Sequence, residues 1–256
     1  EVDVIAAEDT RRTAHLLCHY AISTPSISFH QHNIRTRVPQ LLSRLQSGQN
    51  VALVTDAGTP GVSDPGVELV EACVLANVSV DPIPGASAPL TAAVASGFPL
   101  IPLTIFGFPP RRSKDRTAWF AEAKSVRNTF TFFESPHRIV ATLLEASASF
   151  GERPIVAARE LTKRHQEFIR GTLLGVPRLL EQAKGELTIV VGPEDRQVVS
   201  NDQLDAGGLG RAVTMFGQLT ESGRSRRAAM TEAAHAFGFP VRAVYAAVEA
   251  AKKSGR

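Results

Sequence analysis

Two short stretches concentrate the residue types that hold small molecules. The first is Thr55-Asp56-Ala57-Gly58-Thr59-Pro60-Gly61-Val62-Ser63-Asp64-Pro65-Gly66, directly after the apolar run Val51–Val54. Gly58 and Gly61 let a backbone approach a ligand closely, and Pro60 and Pro65 stiffen the loop around them. Asp56, Thr59, Ser63 and Asp64 add short polar handles for hydroxyl or amine groups. The second stretch is Pro82-Ile83-Pro84-Gly85-Ala86-Ser87-Ala88-Pro89. There Ser87 and the free N–H groups of a following helix can take the polar end of a ligand. Taken alone the second stretch reads more readily as an ordinary strand-to-helix turn. The first is too dense in glycine and proline for a plain connector.

Loops of this kind work only where strand ends present them. Strands are predicted at Val2–Ala7, Val51–Val54, Val78–Ile83, Thr129–Phe133, Ile155–Ala158 and Leu187–Val191. Helices are predicted at Val38–Ser47, Ala86–Ser96, Trp119–Lys124 and His137–Ser147. The alternation of the two predicts an α/β class. The proline-rich residues 98–110 suggest a boundary between residues 1–98 and 99–195, and the polar, glycine-rich Gly192–Gly210 reads as a second linker. Beyond it a helix pair is expected in residues 205–256. Ala229, Met230, Ala233, Ala234 and Phe237 form one apolar stripe, with Ser225 as N-cap and Gly238 as stop. Val241, Val244, Tyr245 and Val248 form the other stripe after Pro240, as in a helix-turn-helix or any two-helix hairpin.

A chain with 43% hydrophobic and 21% charged residues is ordinary for a globular protein and excludes disorder. No apolar run is long enough to cross a bilayer. Cys18 and Cys73, without ligand spacing around them, read as free core thiols of a reducing, cytoplasmic compartment. His30, His32 and His137 are not spaced as a metal site, so no metal is expected. Charge is uneven. Residues 224–256 hold seven basic side chains against two acidic ones, a net +5, which leaves −2 of the chain's +3 to residues 1–223. Such a tail suits a polyanion, or is simply a solvated face.

Five further segments carry a resemblance: Ala7-Glu8-Asp9-Thr10-Arg11-Arg12, Ser28-Phe29-His30-Gln31-His32-Asn33, Gly107-Phe108-Pro109-Pro110-Arg111-Arg112 with Lys114, Phe133-Glu134-Ser135-Pro136-His137-Arg138, and Arg159-Glu160-Leu161-Thr162-Lys163. With the two glycine loops they resemble the tetrapyrrole-methylase superfamily, and within it the branch that methylates a cytidine 2′-hydroxyl in small-subunit (16S) ribosomal RNA. The resemblance covers about residues 1–195 and extends more loosely to the helix pair. It implies two α/β domains with a cofactor cleft between them, a small C-terminal helical module, S-adenosyl-L-methionine as cofactor, and a homodimer. It also implies a strand and glycine loop ahead of Glu1.

By that resemblance Gly58, Thr59, Val62, Gly85, Ser87, Ala88, Phe133 and Leu187 contact the cofactor. Methyl transfer from a sulfonium is an in-line displacement, in which alignment supplies much of the rate. A ribose hydroxyl also needs a base, or a cation for its developing charge. Glu134 and Lys163 are the catalytic candidates on this basis, followed by Asp9 and Arg11. Arg111, Arg112, Lys114, Arg116, Arg138, Arg226 and Arg227 are the candidates for contacting ribosomal RNA or the 30S subunit. Two other functions fit the same pattern: a corrin- or porphyrin-type small-molecule methylase, and an RNA-binding module without catalysis.

Overall fold

The computed structural model describes residues 2–194, 201–237 and 239–254. Three parallel strands open the chain: β1 (Val4–Ala7), β2 (Ser26–Ser28) and β3 (Val51–Val54), in the order β2-β1-β3. Helix α1 (Thr10–His19) links β1 to β2, α2 (Ile34–Gln46) links β2 to β3, and α3 (Val67–Leu75) follows the first glycine loop. Leu41 of α2 and Leu69 and Cys73 of α3 bury against Val4, Ala6 and Phe29. In a parallel sheet such apolar side chains are covered by the crossover helices. Helix α1 buries none of its residues. Cys18 on it is therefore exposed, not a core thiol as the sequence suggested, whereas Cys73 is buried.

The second sheet has five strands, ordered β4 (Leu103–Ile105), β5 (Thr129–Glu134), β8 (Leu187–Val191), β6 (Pro154–Arg159) and β7 (Glu167–Thr172). Only β4 and β5 run parallel. Every residue of β8 is buried. Leu187, Ile189 and Val191 join Phe130, Phe132, Ile155 and Ala157 on one face, under α5 (Ser113–Ser125) and α6 (Ile139–Phe150). Val190 joins Val156 and Ala158 on the other, under Ala92 and Ala93 of α4 (Ala88–Ser96). Helices on both faces explain why these strands read as unbroken apolar runs.

Arg153, 2% exposed, sits just before β6, where that strand enters this sheet. Its guanidinium donates to the carbonyls of Val126, Asn128 and Gly192 and lies over the Phe130 ring. It joins the end of α5 to β5 and β8, and burial lowers its pKa.

Two expectations need correcting. Val78–Ile83 is not a strand of either sheet. Pro82 and Pro84 lack the N–H that a ladder needs, and β3 pairs only with β1. Residues 201–210, expected as linker, belong to the 21-residue helix α7 (Asn201–Glu221). Gly208 is there because the Phe239 ring packs where a β-carbon would stand, 2.8 Å away. The expected helix pair is thus two-thirds of a three-helix bundle with α8 (Arg226–Ala236) and α9 (Val241–Ser254). Phe216 of α7, Met230 and Ala233 of α8, and Val244 and Val248 of α9 fill its core. Ser225 caps α8 by accepting from the Ala228 N–H. Gly238, the expected stop, lies outside the described residues.

Candidate active site

The ends of β3, β5 and β8 converge on one cavity of about 340 Å³, within the size range of small-molecule sites. The first glycine loop supplies Gly58, Thr59, Val62, Ser63 and Asp64, and the second supplies Ser87 and Ala88. Phe133, Glu134, Leu187 and Thr188 close the far wall. Seven of the eight expected cofactor contacts line this space. Gly85 does not: it is exposed, before the turn enters α4.

Local chemistry fixes both loops. Gly58 adopts φ +75°, in the left-handed region, and nothing lies within 4 Å of where its β-carbon would be. The first loop therefore turns at Gly58 and keeps open space beside it. The Thr59 hydroxyl donates to the Ala86 carbonyl at 3.1 Å and joins the two glycine loops. The Asp56 N–H donates to Glu8, and the Asp56 carboxylate pairs with Arg12 at 2.9 Å. Asp9 accepts from the Arg11 N–H as the cap of α1 and pairs with the Arg11 guanidinium, which holds its pKa down at about 2. Both members of that second-choice catalytic pair are occupied with each other.

Asp64 is the carboxylate at the cavity with a raised proton affinity. Burial first, then the charges of Glu8, Asp56 and Glu186, push it up to about 6. Glu186 lines the cavity too, next to Gly185. Gly185 has φ +83°, and a β-carbon there would overlap the Glu160 carboxylate. Glu160 accepts from the Lys163 ammonium at 3.0 Å and from the Glu186 N–H at 3.1 Å. Glu160 and Thr162 are themselves left-handed, at φ +48° and +66°. Strained non-glycine backbone of this kind gathers at functional sites. Lys163 also reaches Glu186 at 3.4 Å, and its two carboxylate partners raise its pKa, keeping it cationic.

Glu134 and Lys163 are not bonded to each other. Glu134 is 1% exposed. One of its oxygens accepts from the Ser135 N–H, and the other accepts from the Thr142 hydroxyl and pairs with Arg138 at 3.3 Å. The expected RNA contacts divide into two groups. Arg111, Arg112, Lys114 and Arg227 are exposed and carry no ion pair among the described residues. Arg116 is bound to Glu145 and Thr142, Arg138 to the Pro109 carbonyl, and Arg226 to Glu249. The sequence reading missed Gly185-Glu186, whose signal was a glycine immediately ahead of a buried strand, and it left Asp64 unranked among the loop's polar handles.

Residues 1–176 match the family described as Tetrapyrrole (Corrin/Porphyrin) Methylases. A relative from Synechocystis, named ribosomal RNA small subunit methyltransferase I, is 46% identical over 209 residues, covering 79% of this chain and 75% of its own. A protein of the same name from Halalkalibacterium halodurans is 44% identical over 193 residues, covering 75% and 67%. Among solved structures, diphthine synthase superposes with a TM-score of 0.58 at 14% identity, covering 75% of this chain and 80% of its own. The methyltransferase CobJ superposes at 0.56 and 20% identity, covering 77% and 86%. At those identities the two structures speak for the fold alone. This chain belongs to the tetrapyrrole (corrin/porphyrin) methylase family, on the branch of the relatives named ribosomal RNA small subunit methyltransferase I.

Proposed function

We propose that this protein transfers a methyl group from S-adenosylmethionine to the ribose 2′-hydroxyl of a cytidine in small-subunit ribosomal RNA. One observation carries the reading: both glycine loops and the Phe133-Glu134 strand end line a single cavity with carboxylates at its wall, in a chain whose relatives bear that enzyme's name. The cavity suits this donor. A cationic ligand would meet Asp64 and Glu186, whose like charges disfavour ionisation of Asp64 in its absence. Thr59, Ser87 and the open backbone at Gly58 would hold its polar groups. When bound, the donor supplies an electrophilic methyl on a positively charged sulfur.

The chain's own residues would do the rest. The two loops, joined by the Thr59 bond, fix the direction of attack. Lys163, cationic and anchored on Glu160 and Glu186, would stabilise charge developing on the ribose oxygen. Arg111, Arg112 and Lys114, three to six residues after the cavity residue Phe108, would take phosphates at the entrance, and Arg227, on the C-terminal bundle, would take phosphates elsewhere on the RNA. In this reading residues 1–98 and 99–195 form the two walls of the cleft, and residues 205–256 an RNA-binding module. We assign the reaction to the cytoplasm and to a homodimer. Exposed Val67, Val70 and Val74 of α3, with Leu90 and Val94 of α4, offer apolar faces for association. Light scattering should give twice the 27.5 kDa chain mass, and a monomer at micromolar concentration would count against the dimer. The test of function is transfer of labelled methyl to undermethylated small subunits, with a tetrapyrrole acceptor as the competing substrate.

A further inference from the structure

Glu134 stands at the cavity wall, where its Oε1 accepts from the Ser135 N–H, but the bonds of its Oε2 lead towards the turn that carries the basic residues. Its Oε2 accepts from the Thr142 hydroxyl at 2.7 Å, and that hydroxyl accepts from Arg116 Nη2 at 2.8 Å. Arg116 Nη1 donates to the Pro110 carbonyl at 3.3 Å, and its Nε to Glu145 at 2.6 Å. Arg138, paired with the same Glu134 oxygen, donates to the Pro109 carbonyl at 2.8 Å. Two arginines thus hold two consecutive proline carbonyls; Glu134 holds Arg138 directly and Arg116 through the Thr142 hydroxyl, while Glu145 pairs with Arg116.

The upstream end of the turn is fixed as firmly. The Phe133 N–H donates to the Gly107 carbonyl at 2.9 Å, and the Phe108 ring packs on Phe133 at 5.2 Å. Gly107 lies so close to Ser63 of the first glycine loop that a β-carbon would sit 3.0 Å from its hydroxyl oxygen. The turn is therefore held against the cavity at one end and on the Glu134 network at the other. Arg111 and Arg112 follow at once, exposed.

We propose that Glu134 is a positioning residue. Through Thr142, Arg116 and Arg138 it orders the Gly107–Arg112 turn, so that Phe108 walls the cavity and Arg111, Arg112 and Lys114 meet the RNA already in place. Arg116 and Arg138 serve this scaffold and do not contact RNA. Three protein donors hold this buried carboxylate, two of them on Oε2, which makes its removal costly for whatever it holds. The inference rests on the proposed RNA reaction for its kinetic consequence but not for its structural one.

The test compares Thr142→Val, Thr142→Ser and Glu134→Gln in the full chain. Without RNA, trypsin cleavage after Arg111 and Arg112 reports how often the turn opens. Thr142→Val and Glu134→Gln should speed it about tenfold, the population gained when a hydrogen bond to a charged group is lost, and Thr142→Ser should restore protection. With RNA, Thr142→Val should raise the KM for small subunits about tenfold while kcat stays within about threefold and its pH profile is unmoved. Unchanged cleavage in both variants, together with loss of turnover in Glu134→Gln at saturating RNA, would overturn the proposal and make Glu134 the base. If the wild-type chain methylates no RNA, the functional reading fails, while the protease result still decides whether Glu134 orders the turn.

Discussion

Replacing Asp64 with asparagine should weaken S-adenosylmethionine binding and remove its pH dependence. Moving this carboxyl from its ordinary 3.8 to about 6 means that its ionised form is disfavoured by about 3 kcal/mol in the empty cavity. Solvent reaches Asp64, so screening reduces the part a ligand can recover to about 1–2 kcal/mol. A cationic ligand offsets that cost, which burial and the neighbouring carboxylates share, and asparagine carries no charge for it to offset. The affinity should therefore fall about tenfold at pH 7.5. The sign with pH follows from the raised value. Above 6 the carboxylate is ionised and attracts the cation. Below 6 it protonates, and only about a tenth of the sites remain ionised at pH 5; with the neutral form binding about tenfold more weakly, wild-type affinity should drop about fivefold between pH 7 and 5. Calorimetry on both proteins at the two pH values measures this directly. The reasoning is refuted if Asp64→Asn binds as tightly as the wild type, or if both proteins lose affinity equally on acidification. The same raised value predicts that Asp64 favours folding of the ligand-free chain below about 4, and that this contribution is lost as pH rises to about 6. Asp64→Asn should therefore gain stability relative to wild type at neutral pH, read by denaturant melts.

Other outcomes follow from the same geometry. Gly58→Val places a branched side chain at φ +75° beside the cavity, so cofactor binding should be lost with near-native circular dichroism; retained affinity would exclude this loop from the site. Arg153→Met strands the carbonyls of Val126, Asn128 and Gly192 without their donor, and should cost about 3 kcal/mol in a denaturant melt without changing cofactor affinity after refolding. Arg227→Ala with Arg242→Ala removes two exposed cations from the bundle, and should flatten the salt dependence of RNA binding by about 1.4 to 1.8 on a log–log plot. An unchanged slope would remove α8 and α9 from the RNA surface.

Much of this site was legible because its parts are local. A glycine–proline loop after an apolar run marks a strand end, and β3 and β8 fall where the sequence put them. What was not legible depends on pairing and on long-range charge. Val78–Ile83 has the side chains of a strand but lacks the donor at Pro82 and a neighbour to bond, and Pro84 follows directly. The glycines of α7 look like linker until the Phe239 ring arrives from 31 positions further on to use the space at Gly208. Motif membership raised Glu134 and Arg138 as base and RNA contact, but sequence cannot reveal that they are bonded to each other and to the Pro109 turn. Asp64 was visible as a handle. Its raised proton affinity comes first from burial in the folded cavity and then from Glu8, Asp56 and Glu186, gathered from three separate segments.

The most direct measurement is the chemical destination of the methyl group. Undermethylated small subunits would be incubated with the chain and methyl-labelled S-adenosylmethionine, and the ribosomal RNA digested to nucleosides and resolved by mass. The account predicts label in 2′-O-methylcytidine, lost with Gly58→Val and reduced with Asp64→Asn. Label on a base, on a tetrapyrrole acceptor only, or on no acceptor while the donor binds the cavity, would contradict it.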